Sequence, residues 1–409
     1  MALIMRQLKN ILHLLNAVAA NIYYRFPSRS IQMIGITGTD GKSTTTHLTY
    51  HILKEAGKKA SMISTVYAKV GGKAYDTGFH VTTPSPWFLQ KMIRKAVDAG
   101  DDYFVLEVTS HGLDQNRVWG ISYDYGVLTN VTHEHLDYHG TYEEYLRTKV
   151  KLLQRSKCSI FLAERDPALT RSRKKITFGL RSGDISLQTF PFTTSLPGEY
   201  NKLNCLAASA VAREIGIPDG TIRRALKSFT GIEGRMEEIQ TGRNFRVIID
   251  FAHTPNAMEQ VLKTVRPTIS GRLIHVFGCA GLRDHAKRPM MGKISARYAD
   301  IIVLTEEDTR TERIEDIMEE IKNGMKGNSK FEIRSSKQIQ NSKIKKTGKV
   351  IYEIPDRQDA VDMAISLAGK GDLVIMTGKG HEKSLCRGTV EYPWSEHEAV
   401  RKALGKVKK

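Results

Sequence analysis

The chain has 409 residues, a length that predicts two or three domains, and its hydrophobic share of 40% without low-complexity tracts indicates a soluble globular protein. Its four cysteines lie far apart with no CxxC pair, which argues against a zinc ribbon or a disulfide framework and favours a reducing compartment. The net charge of +18 predicts a solvated basic face, with steering of anionic substrates or nonspecific polyanion binding as alternatives. We expect no nucleic-acid partner.

The N-terminal region resembles a signal peptide only loosely. Arg6 and Lys9 precede an apolar run at residues 11–20, but His13 and Asn16 interrupt that run. We therefore predict an amphipathic helix, within a helical leader or linker at residues 1–30. No stretch approaches the roughly 18 uninterrupted apolar residues of a membrane span.

Beyond residue 31, short β-rich runs alternate with helical patterns. This alternation predicts an α/β fold in which crossover helices connect the strands of parallel sheets. The pattern indicates two consecutive α/β units divided near residues 231–238. The predicted strands are 32–37, 60–66, 103–109 and 126–130 in the first unit, and 246–250, 273–278, 301–305, 350–354 and 373–377 in the second.

A glycine-rich segment follows the first predicted strand and opens a predicted helix. It reads Gly35-Ile-Thr-Gly38-Thr-Asp-Gly41-Lys42-Ser43-Thr44 and departs from the strict Walker spacing at its second residue. Its glycines allow backbone N–H groups to surround phosphates, the lysine can reach the β- and γ-phosphates, and the serine hydroxyl can bind Mg²⁺. The sequence therefore predicts an ATP-binding loop. Because ATP chemistry belongs in the cytosol, we expect a cytoplasmic protein.

Polar segments also occur at the ends of the third and fourth predicted strands, at residues 107–117 and 130–140. The carboxyl ends of parallel strands are where α/β sheets place their ligands. Glu107 offers oxygen ligands for a second Mg²⁺ near the γ-phosphate, and His135 is an unusual but feasible partner. Lys149 follows on the next predicted helix.

These segments resemble the Mur ligases of peptidoglycan synthesis, in particular those that add the third residue of the stem peptide. The resemblance rests on Thr-Gly-Thr-Asp-Gly-Lys-Ser, Glu-Val-Thr-Ser-His-Gly-Leu-Asp-Gln-Asn-Arg and His-Glu-His-Leu-Asp-Tyr-His-Gly. Downstream motifs beginning at Gly198, Gly234, Asp250 and Gly378 follow in the family's order. The resemblance implies a P-loop-type central ATPase domain with a parallel sheet at 31–234 and a Rossmann-like α/β C-terminal domain at 235–409.

The resemblance also implies roles for individual residues. The predicted catalytic residues are Lys42, Glu107, His135 and Lys149, and the predicted metal ligands are Ser43, Glu107, His135 and Lys149. Lys149 matches a position where the family carries a carbamylated lysine, which would supply anionic oxygens to Mg²⁺. The ATP-binding positions are Gly38, Thr39, Asp40, Gly41, Lys42, Ser43, Thr44, Asn204, Arg235, Asp250 and His253, the last four from a domain junction.

Two further sets correspond to the family's substrate positions. The muramoyl-peptide acceptor set is Thr82, Thr83, Thr109, Gln115 and Arg117. The amino-acid set is Arg283, Asp308, Arg310, Gly378 and Glu382. The implied reaction forms an acyl-phosphate from ATP and the acceptor carboxylate, which the amine of a diamino acid then attacks after domain closure. A guanidinium suits the distal carboxylate of meso-diaminopimelate, so we expect this amino acid to be favoured, with lysine as the alternative.

The sequence departs from the family pattern at several places. Val81 stands where an asparagine is usual, and Ala280 and Leu282 replace the usual glycine and aspartate. The amino-acid signature Asp-Asn-Pro-Arg reads Glu307-Asp308-Thr309-Arg310, so its arginine alone is intact. Only about thirty residues precede the loop, where family members usually carry a UDP-binding domain. We therefore expect that a separate partner supplies any contact to UDP. We also expect the chain to be a monomer.

Two alternatives remain open. A ligase with another acceptor, such as a folylpolyglutamate synthetase, would share the loop but lack the acceptor motif ending at Arg117. A noncatalytic ATP-binding subunit of a wall-synthesis complex would have no reason to keep Lys42, Glu107, His135 and Lys149 together. Phosphate release in the presence of ATP, acceptor and diamino acids would separate the three hypotheses.

Overall fold

The structure is a computed structural model, and it describes residues 2–75, 83–132, 134–166, 168, 170–326, 331–335 and 349–407. The chain divides into two compact units. The first comprises Met1–Thr132 and Tyr138–Thr230, and the second comprises His133–Asp137 and Gly231–Lys409. Both are α/β, as predicted from the alternation of strands and helices.

The first unit is a wound sheet with helices between its strands. Its elements in chain order are α1 (Ala2–Tyr23), a 3₁₀ helix (Pro27–Ser30), β1 (Gln32–Thr37), α2 (Lys42–Glu55), β2 (Ala60–Ile63), β3 (Ala68–Val70), β4 (Lys73–Tyr75), α3 (Pro86–Asp98), β5 (Tyr103–Glu107), α4 (Ser110–Asp114), β6 (Tyr123–Leu128), the short helix α5 (Leu136–His139) that begins in the 133–137 segment, α6 (Tyr142–Gln154), β7 (Ser156–Leu162), β8 (Lys174–Phe178), α7 (Glu199–Glu214) and α8 (Asp219–Ser228).

Among the described residues, the first sheet has eight strands in the order β4-β3-β2-β5-β1-β6-β7-β8. Strands β2, β5, β1, β6, β7 and β8 are parallel, whereas β3 and β4 form an antiparallel edge. Strand β1 is central, and its register pairs Ile36 with Glu107 and Thr37 with Leu128. The carboxyl ends of β1, β5 and β6 therefore lie side by side, where parallel sheets hold their ligands.

The second unit is also a wound sheet. Its elements are β9 (Glu237–Ile239), β10 (Arg246–Ile249), α9 (Pro255–Val265), a 3₁₀ helix (Arg266–Thr268), β11 (Leu273–Phe277), α10 (Lys287–Tyr298), β12 (Ile301–Leu304), α11 (Ile314–Asn323), β13 (Phe331–Ser335), β14 (Lys349–Glu353), α12 (Arg357–Leu367), β15 (Leu373–Met376), β16 (Ser384–Arg387), β17 (Val390–Pro393) and α13 (Glu396–Lys406).

In the part of the chain that the structure describes, the second sheet has seven strands in the order β13-β14-β12-β11-β15-β10-β9. All pairings are parallel except that of β9 with β10. Buried aliphatic residues of these strands pack against α12 and α13, where Val361, Ile365 and Val400 have no exposed surface. The loops after β10, β11, β12 and β15 consequently emerge at one edge of the sheet.

The predicted strands agree with the structure to different degrees. The prediction at 32–37 matches β1, and the predicted N-terminal helix is confirmed by α1. Strand β2 ends at Ile63, three residues before the predicted end, and β6 starts at Tyr123, three residues before the predicted start. Strands β7 and β8 were not predicted. Among the described residues, no helix is long and apolar enough to cross a membrane.

Candidate active site

The phosphate loop connects β1 to α2 in a conformation that requires glycine. A Cβ atom on Gly38 would lie 1.8 Å from Thr129 Oγ1. Gly41 has φ 78°, and a Cβ atom there would lie 2.2 Å from Asn204 Oδ1. Helix α2 starts immediately afterwards, with Ser43 buried and Thr44 half-buried in its first turn. Small residues therefore let the loop fit between β6 and α7 while its backbone turns into a helix N-terminus, which favours anions.

Hydrogen bonds from the end of β6 fix this loop. The Asn130 carbonyl accepts from Thr39 N at 2.9 Å, and its side-chain Oδ1 accepts from Asp40 N at 2.9 Å. Thr129 Oγ1 donates to the Asp40 carbonyl at 2.7 Å. Lys42 Nζ donates to the Thr39 carbonyl at 2.7 Å, which holds its ammonium over the loop. The predicted phosphate-binding residues thus form one preorganised structure.

Glu107 gathers two hydroxyl groups at the end of β5. Its Oε1 accepts from Ser43 Oγ at 3.1 Å and from Thr65 Oγ1 at 2.8 Å, and its Oε2 accepts from Thr65 N at 2.8 Å. Glu107 and Ser43 are both buried. A carboxylate and two hydroxyls form a set of hard oxygen donors, which is the chemistry that Mg²⁺ prefers. The two predicted ligands Ser43 and Glu107 are therefore brought together, with Thr65 as an additional donor.

Lys149 lies on α6 with 1% of its surface exposed. Its Nζ donates to the Gly38 carbonyl at 2.5 Å and lies 4.5 Å from the centre of the Tyr145 ring. A hydrogen bond and a cation–π contact compensate for burying this ammonium. Lys149 therefore reaches the start of the phosphate loop directly.

His135, the remaining predicted metal ligand, belongs to the segment His133–Asp137 of the second unit. It has φ 56°, and its Nδ1 lies 3.9 Å from Glu134 Oε1. Ser43, Glu107 and Lys149 belong to the first unit. Across the described residues, no group of three or more His, Cys, Asp or Glu side chains is arranged to hold a metal. The oxygen set around Glu107 differs from such a group, because it combines one carboxylate with the hydroxyl groups of Ser43 and Thr65.

Four predicted acceptor residues form a threonine–arginine cluster: Thr83, Thr109, Gln115 and Arg117. Thr83 Oγ1 lies 3.0 Å from Thr109 Oγ1 and accepts from Thr109 N at 2.9 Å. Arg117 donates from Nη1 to the Thr83 carbonyl at 2.9 Å and from Nη2 to Gln115 Oε1 at 2.5 Å. Thr82, the fifth predicted residue, lies outside the described residues.

Two residues that the sequence did not single out extend this cluster. Tyr138 OH accepts from Gln115 Nε2 at 3.2 Å and donates to Asp114 Oδ2 at 2.8 Å. Burial lowers the pKa of the Arg117 guanidinium, and Tyr138 partly opposes this effect. The guanidinium is thus partly desolvated, which strengthens its attraction for an anionic group. The cluster can bind a carboxylate.

The four residues predicted at the domain junction form two groups. Asn204 belongs to the first unit, where it accepts from Thr45 Oγ1 at 3.4 Å beside the phosphate loop. Arg235, Asp250 and His253 belong to the second unit. The Asp250 carboxylate accepts from Met236 N and Ala252 N, each at 2.7 Å, and thereby orients the backbone on both sides. Arg235 lies 4.2 Å from the centre of the Phe251 ring.

Four of the predicted amino-acid positions and two further residues of the second unit form a group that we name the charged cluster. Its members are Arg283, Glu307, Asp308, Arg310, Lys379 and Glu382. Lys379 is fully buried and bridges two acids, with Nζ 2.9 Å from Asp308 Oδ1 and 2.5 Å from Glu382 Oε2. Burial opposes its charge, but the carboxylates of Glu382 and Asp308 outweigh burial and raise the pKa of Lys379. Lys379 therefore joins Asp308 and Glu382 through two ion pairs.

Glu307 lies beside this pair with a different environment. Burial raises the pKa of its carboxyl to about 7, Lys287 opposes the rise, and Asp308 reinforces it. Within the described residues, Glu307 Oε2 has no hydrogen-bond partner. A Cβ atom on Gly378 would lie 2.6 Å from this oxygen, so glycine is required there. The predicted residue Gly378 thus packs closely against a buried carboxyl.

The two arginines of the charged cluster carry the opposite sign. Arg310 has φ 50°, and its Nη1 donates to the Gly281 carbonyl. Much of Arg283 reaches solvent, yet burial of its guanidinium and then the charge of Arg310 lower the pKa of Arg283. The two like charges are therefore close enough to repel. Such a pair is suited to an anionic ligand.

The structure adds residues that sequence reasoning did not select. Thr65 was overlooked because it follows a short strand in an ordinary turn. Asn130 and Lys379 lie within the segment 130–140 and the motif that begins at Gly378, so these motifs indicate that both residues belong to a functional site. Nothing local to Tyr138 or Glu307 indicates their partners, because Asp114 and Gln115 lie at the end of α4 and Lys287 lies on α10.

Comparison with known proteins assigns the chain to a family. Residues 36–212 match the Mur ligase middle domain, and residues 234–380 match the Mur ligase glutamate ligase domain. The chain is 35% identical to a UDP-N-acetylmuramyl-tripeptide synthetase of Roseiflexus sp. (strain RS-1), covering 96% of this chain and 82% of that protein. With a UDP-N-acetylmuramoyl-L-alanyl-D-glutamate–2,6-diaminopimelate ligase of Aquifex aeolicus it shares 36% identity over 95% of this chain and 80% of that protein.

Solved structures agree on the fold. A 2,6-diaminopimelate ligase of the same description superposes with a TM-score of 0.56 at 28% identity, covering 92% of this chain and 78% of that one. A folylpolyglutamate synthase of Mycobacterium tuberculosis superposes with a TM-score of 0.67 at 16% identity over 97% and 96% of the two chains, which shows a shared fold alone. The chain belongs to the Mur ligase family of ATP-dependent ligases of peptidoglycan precursor synthesis. This finding confirms the predicted family, fold class and enzyme class.

Proposed function

We propose that this chain uses ATP to join a diamino acid to the carboxylate of a muramoyl-L-alanyl-D-glutamate-type acceptor. The proposal rests above all on one observation: the phosphate loop, Lys42, the Glu107 oxygen set and Lys149 all meet at one edge of the first sheet. The names of the relatives, which are ligases for 2,6-diaminopimelate, supply the substrate class.

The first step would transfer the γ-phosphoryl group to the acceptor. An acceptor carboxylate oxygen attacks the γ-phosphorus, the bond to the β-phosphate oxygen breaks, and ADP leaves. Backbone N–H groups of the loop and Lys42 face the phosphates, and Arg117 with Thr83 and Thr109 orients the acceptor. These groups are fixed before substrate binds, so little reorganisation opposes the reaction.

Ser43, Thr65 and Glu107 would hold Mg²⁺, with Lys149 and His135 as further proposed ligands. When bound, the ion would neutralise charge on the phosphoryl group. We propose that the Lys149 ammonium loses one proton and that the resulting amine adds to carbon dioxide, forming a carbamate with release of a second proton. The hydrogen bond from Nζ to the Gly38 carbonyl supports this proposal, because it holds the Lys149 side chain beside the phosphate loop. A carbamate replaces a repulsive ammonium with anionic oxygens.

The second step would form the amide bond. The uncharged α-amine of the diamino acid attacks the acyl carbon, phosphate leaves with the bridging oxygen, and the nitrogen loses a proton. Members of the charged cluster fit the other groups of a diamino acid. Asp308 and Glu382 suit its second ammonium, and Arg283 with Arg310 suits a carboxylate.

We propose meso-diaminopimelate as the preferred amino acid, with lysine as a weaker substrate. Diaminopimelate carries a distal carboxylate that lysine lacks, and two neighbouring arginines offer it opposite charge. Bound lysine would place no carboxylate between those arginines, so part of their repulsion would persist. The preference should therefore appear mainly as a difference in KM.

A folylpolyglutamate synthetase remains the competing ligase. It shares the fold, but the threonine–arginine cluster and the two matched Mur ligase domains favour a muramoyl acceptor. A noncatalytic ATP-binding subunit is disfavoured because Lys42, Glu107 and Lys149 each form a hydrogen bond with a residue of the phosphate loop segment 35–44.

One assay separates these functions. Purified chain is mixed with ATP, Mg²⁺, muramoyl-L-alanyl-D-glutamate acceptor and either meso-diaminopimelate or lysine. A parallel mixture contains a folate acceptor and glutamate instead, and the products of both are analysed by mass spectrometry. We expect ADP, phosphate and an amide whose mass equals acceptor plus diaminopimelate minus water. A product formed only from a folate acceptor and glutamate, or no product at all, would refute the proposal.

The same proposal places the reaction in the cytoplasm, where ATP is available, and treats the chain as a monomer. It also takes residues 31–234 as the ATP-binding domain and 235–409 as the amino-acid-binding domain, with residues 1–30 leading into the first. Light scattering of the purified protein tests the monomer directly.

A further inference from the structure

Helix α1 exposes apolar side chains along one face. Leu8, Ile11, Leu12, Leu15 and Ile22 are each between 53% and 63% exposed, and we name them the apolar stripe. Their spacing of three, four and seven residues places them on one side of an α-helix. From Leu8 to Tyr23 this side is about 24 Å long, at the usual rise of an α-helix. An exposed apolar face of this length marks an interaction surface.

The opposite face of α1 is already used inside the first unit. Asn10 Nδ2 donates to the Asp114 carbonyl at 3.2 Å, and Asn21 Nδ2 donates to the Trp119 carbonyl at 2.9 Å. Ala17 and Ala20 are fully buried between them. The helix is therefore anchored in a fixed orientation, and the apolar stripe is directed outward by that packing.

Aromatic residues border the apolar stripe. Trp87 of α3 is 40% exposed, donates from Nε1 to Asn16 Oδ1 at 3.3 Å, and packs edge-on against Tyr23 at 5.7 Å between ring centres. Tyr23 is 70% exposed. Tryptophan and tyrosine are enriched where a protein meets the boundary between lipid headgroups and acyl chains. Their position next to the stripe extends the same surface.

The charged residues of α1 and of the segment that follows it have a single sign. Between residues 1 and 39 the sequence contains four basic residues, Arg6, Lys9, Arg25 and Arg29, and no aspartate or glutamate. Lys9, Arg25 and Arg29 are exposed, and so is Lys91, which follows Trp87 by one helical turn. Two copies of this surface would repel each other, whereas an anionic lipid surface would attract it.

From these observations we propose that α1 docks the protein on anionic membranes. The helix would lie in the plane of the interface, with the apolar stripe inserted among the headgroups and the basic residues near lipid phosphates. This inference is independent of the proposed reaction, because it rests on the outer face of α1 and the residues that border it. It names a peripheral association and no membrane span.

The test measures sedimentation of the full chain with vesicles of phosphatidylcholine and phosphatidylglycerol, and with vesicles of phosphatidylcholine alone. We expect binding to the mixed vesicles, weaker at high salt, and little binding to the neutral ones. The double variant Leu12→Glu/Leu15→Glu should lose binding by on the order of tenfold or more. Lys9→Gln/Arg25→Gln should lose a comparable amount on mixed vesicles only.

The control is Val390→Glu, which places one glutamate on an apolar residue that is 51% exposed in the second unit. It should bind vesicles like the unaltered chain, and circular dichroism should show that every variant is folded. Equal binding by wild type and Leu12→Glu/Leu15→Glu would overturn the proposal. Failure to bind mixed vesicles would also overturn the proposal. If light scattering then shows a dimer that the double variant abolishes, the apolar stripe is a contact between two copies of the chain instead.

Discussion

The phosphate loop and the charged cluster hold their polar groups in different ways. In the loop, neutral partners such as Asn130 and Thr129 satisfy backbone groups, and glycines remove every Cβ that would clash. In the charged cluster, side chains of both signs are buried against each other, and Glu307 keeps an oxygen without a partner among the described residues. The first arrangement is set by shape, and the second by charge balance.

This difference predicts two kinds of mutational effect. A change at the loop should reduce the reaction with every amino acid, because all of them require the same activated acceptor. A change in the charged cluster should alter which amino acid is used, or how stability depends on pH.

Lys149→Ala should lower kcat by roughly a thousandfold, because it removes a buried group beside the loop that we propose as a metal ligand. A short carboxylic acid should restore part of the activity by filling the space of the carbamate. Lys151→Ala, on the same helix but half-buried, is the matched control and should keep nearly full activity. Full activity in untreated Lys149→Ala would show that this lysine has no catalytic role.

Gly41→Ala should weaken ADP binding by about a hundredfold, since its Cβ would clash with Asn204 and its φ is 78°. Gly57→Ala is the control, because it introduces the same unfavourable backbone conformation without a clash. Gly57 has φ 71° at the other end of α2, and a Cβ atom there would meet nothing within 4 Å. That control should lose about 1 kcal/mol of stability and no ADP affinity. Calorimetric titration with ADP measures the affinities and urea unfolding measures the stabilities, and equal affinities for the two variants would contradict the packing argument.

Arg310→Ala should reduce kcat/KM for meso-diaminopimelate by about 10- to 100-fold, the range expected for losing a charged hydrogen bond. Lysine should lose less than diaminopimelate, because it presents no distal carboxylate. Arg313→Ala is the control, since Arg313 is in the same loop and 75% exposed. Equal losses with both amino acids would mean that Arg310 acts through its hydrogen bond to Gly281 and has a structural role.

Glu307→Gln should change how stability depends on pH. Burial raises the pKa of Glu307 to about 7 from its ordinary 4.5, so the folded state holds its proton when the unfolded state has lost it. Stability of the wild type should therefore fall as pH rises between these values and then level off. At pH 8 the variant should be more stable by up to about 3 kcal/mol, and at pH 4.5 the difference should be small.

Glu312→Gln is the contrasting control in the same unit. Burial opposes the charge of Glu312, but hydrogen bonds from the Leu282 backbone and Arg288 hold its pKa below the ordinary value. The wild-type residue therefore stabilises above pH 4.5, and that contribution is lost as pH falls. Urea titrations of both variants across this range give the two signs. Parallel pH profiles would show that Glu307 is ionised normally in the folded protein.

The sequence predicted the phosphate loop well because its chemistry is contiguous. Glycines, lysine and serine occur within ten residues, and β1 before them is a continuous buried run. Strand β8 escaped prediction because it is an edge strand that begins with two exposed lysines, Lys174 and Lys175. The antiparallel edge of β3 and β4 was likewise hidden, since its strands have only three residues each.

The charged cluster was predicted only in part, and the reason is physical. Family positions indicated Asp308 and Glu382, but the ion pair between Lys379 and Asp308 joins the separate loops after β12 and β15. The environment of Glu307 depends on burial and on Lys287, which no local pattern reveals. Sites built from backbone follow from sequence more readily than sites built from distant charges.

The central claim is that the phosphate loop activates the acceptor carboxylate with the γ-phosphate of ATP. Acceptor labelled with ¹⁸O in that carboxylate tests it directly, through mass spectrometry of the phosphate released during turnover with meso-diaminopimelate. The account predicts one ¹⁸O atom in each phosphate, because the oxygen that attacks phosphorus leaves with it when the amine attacks carbon. Phosphate without ¹⁸O, released while the amide forms, would contradict the account.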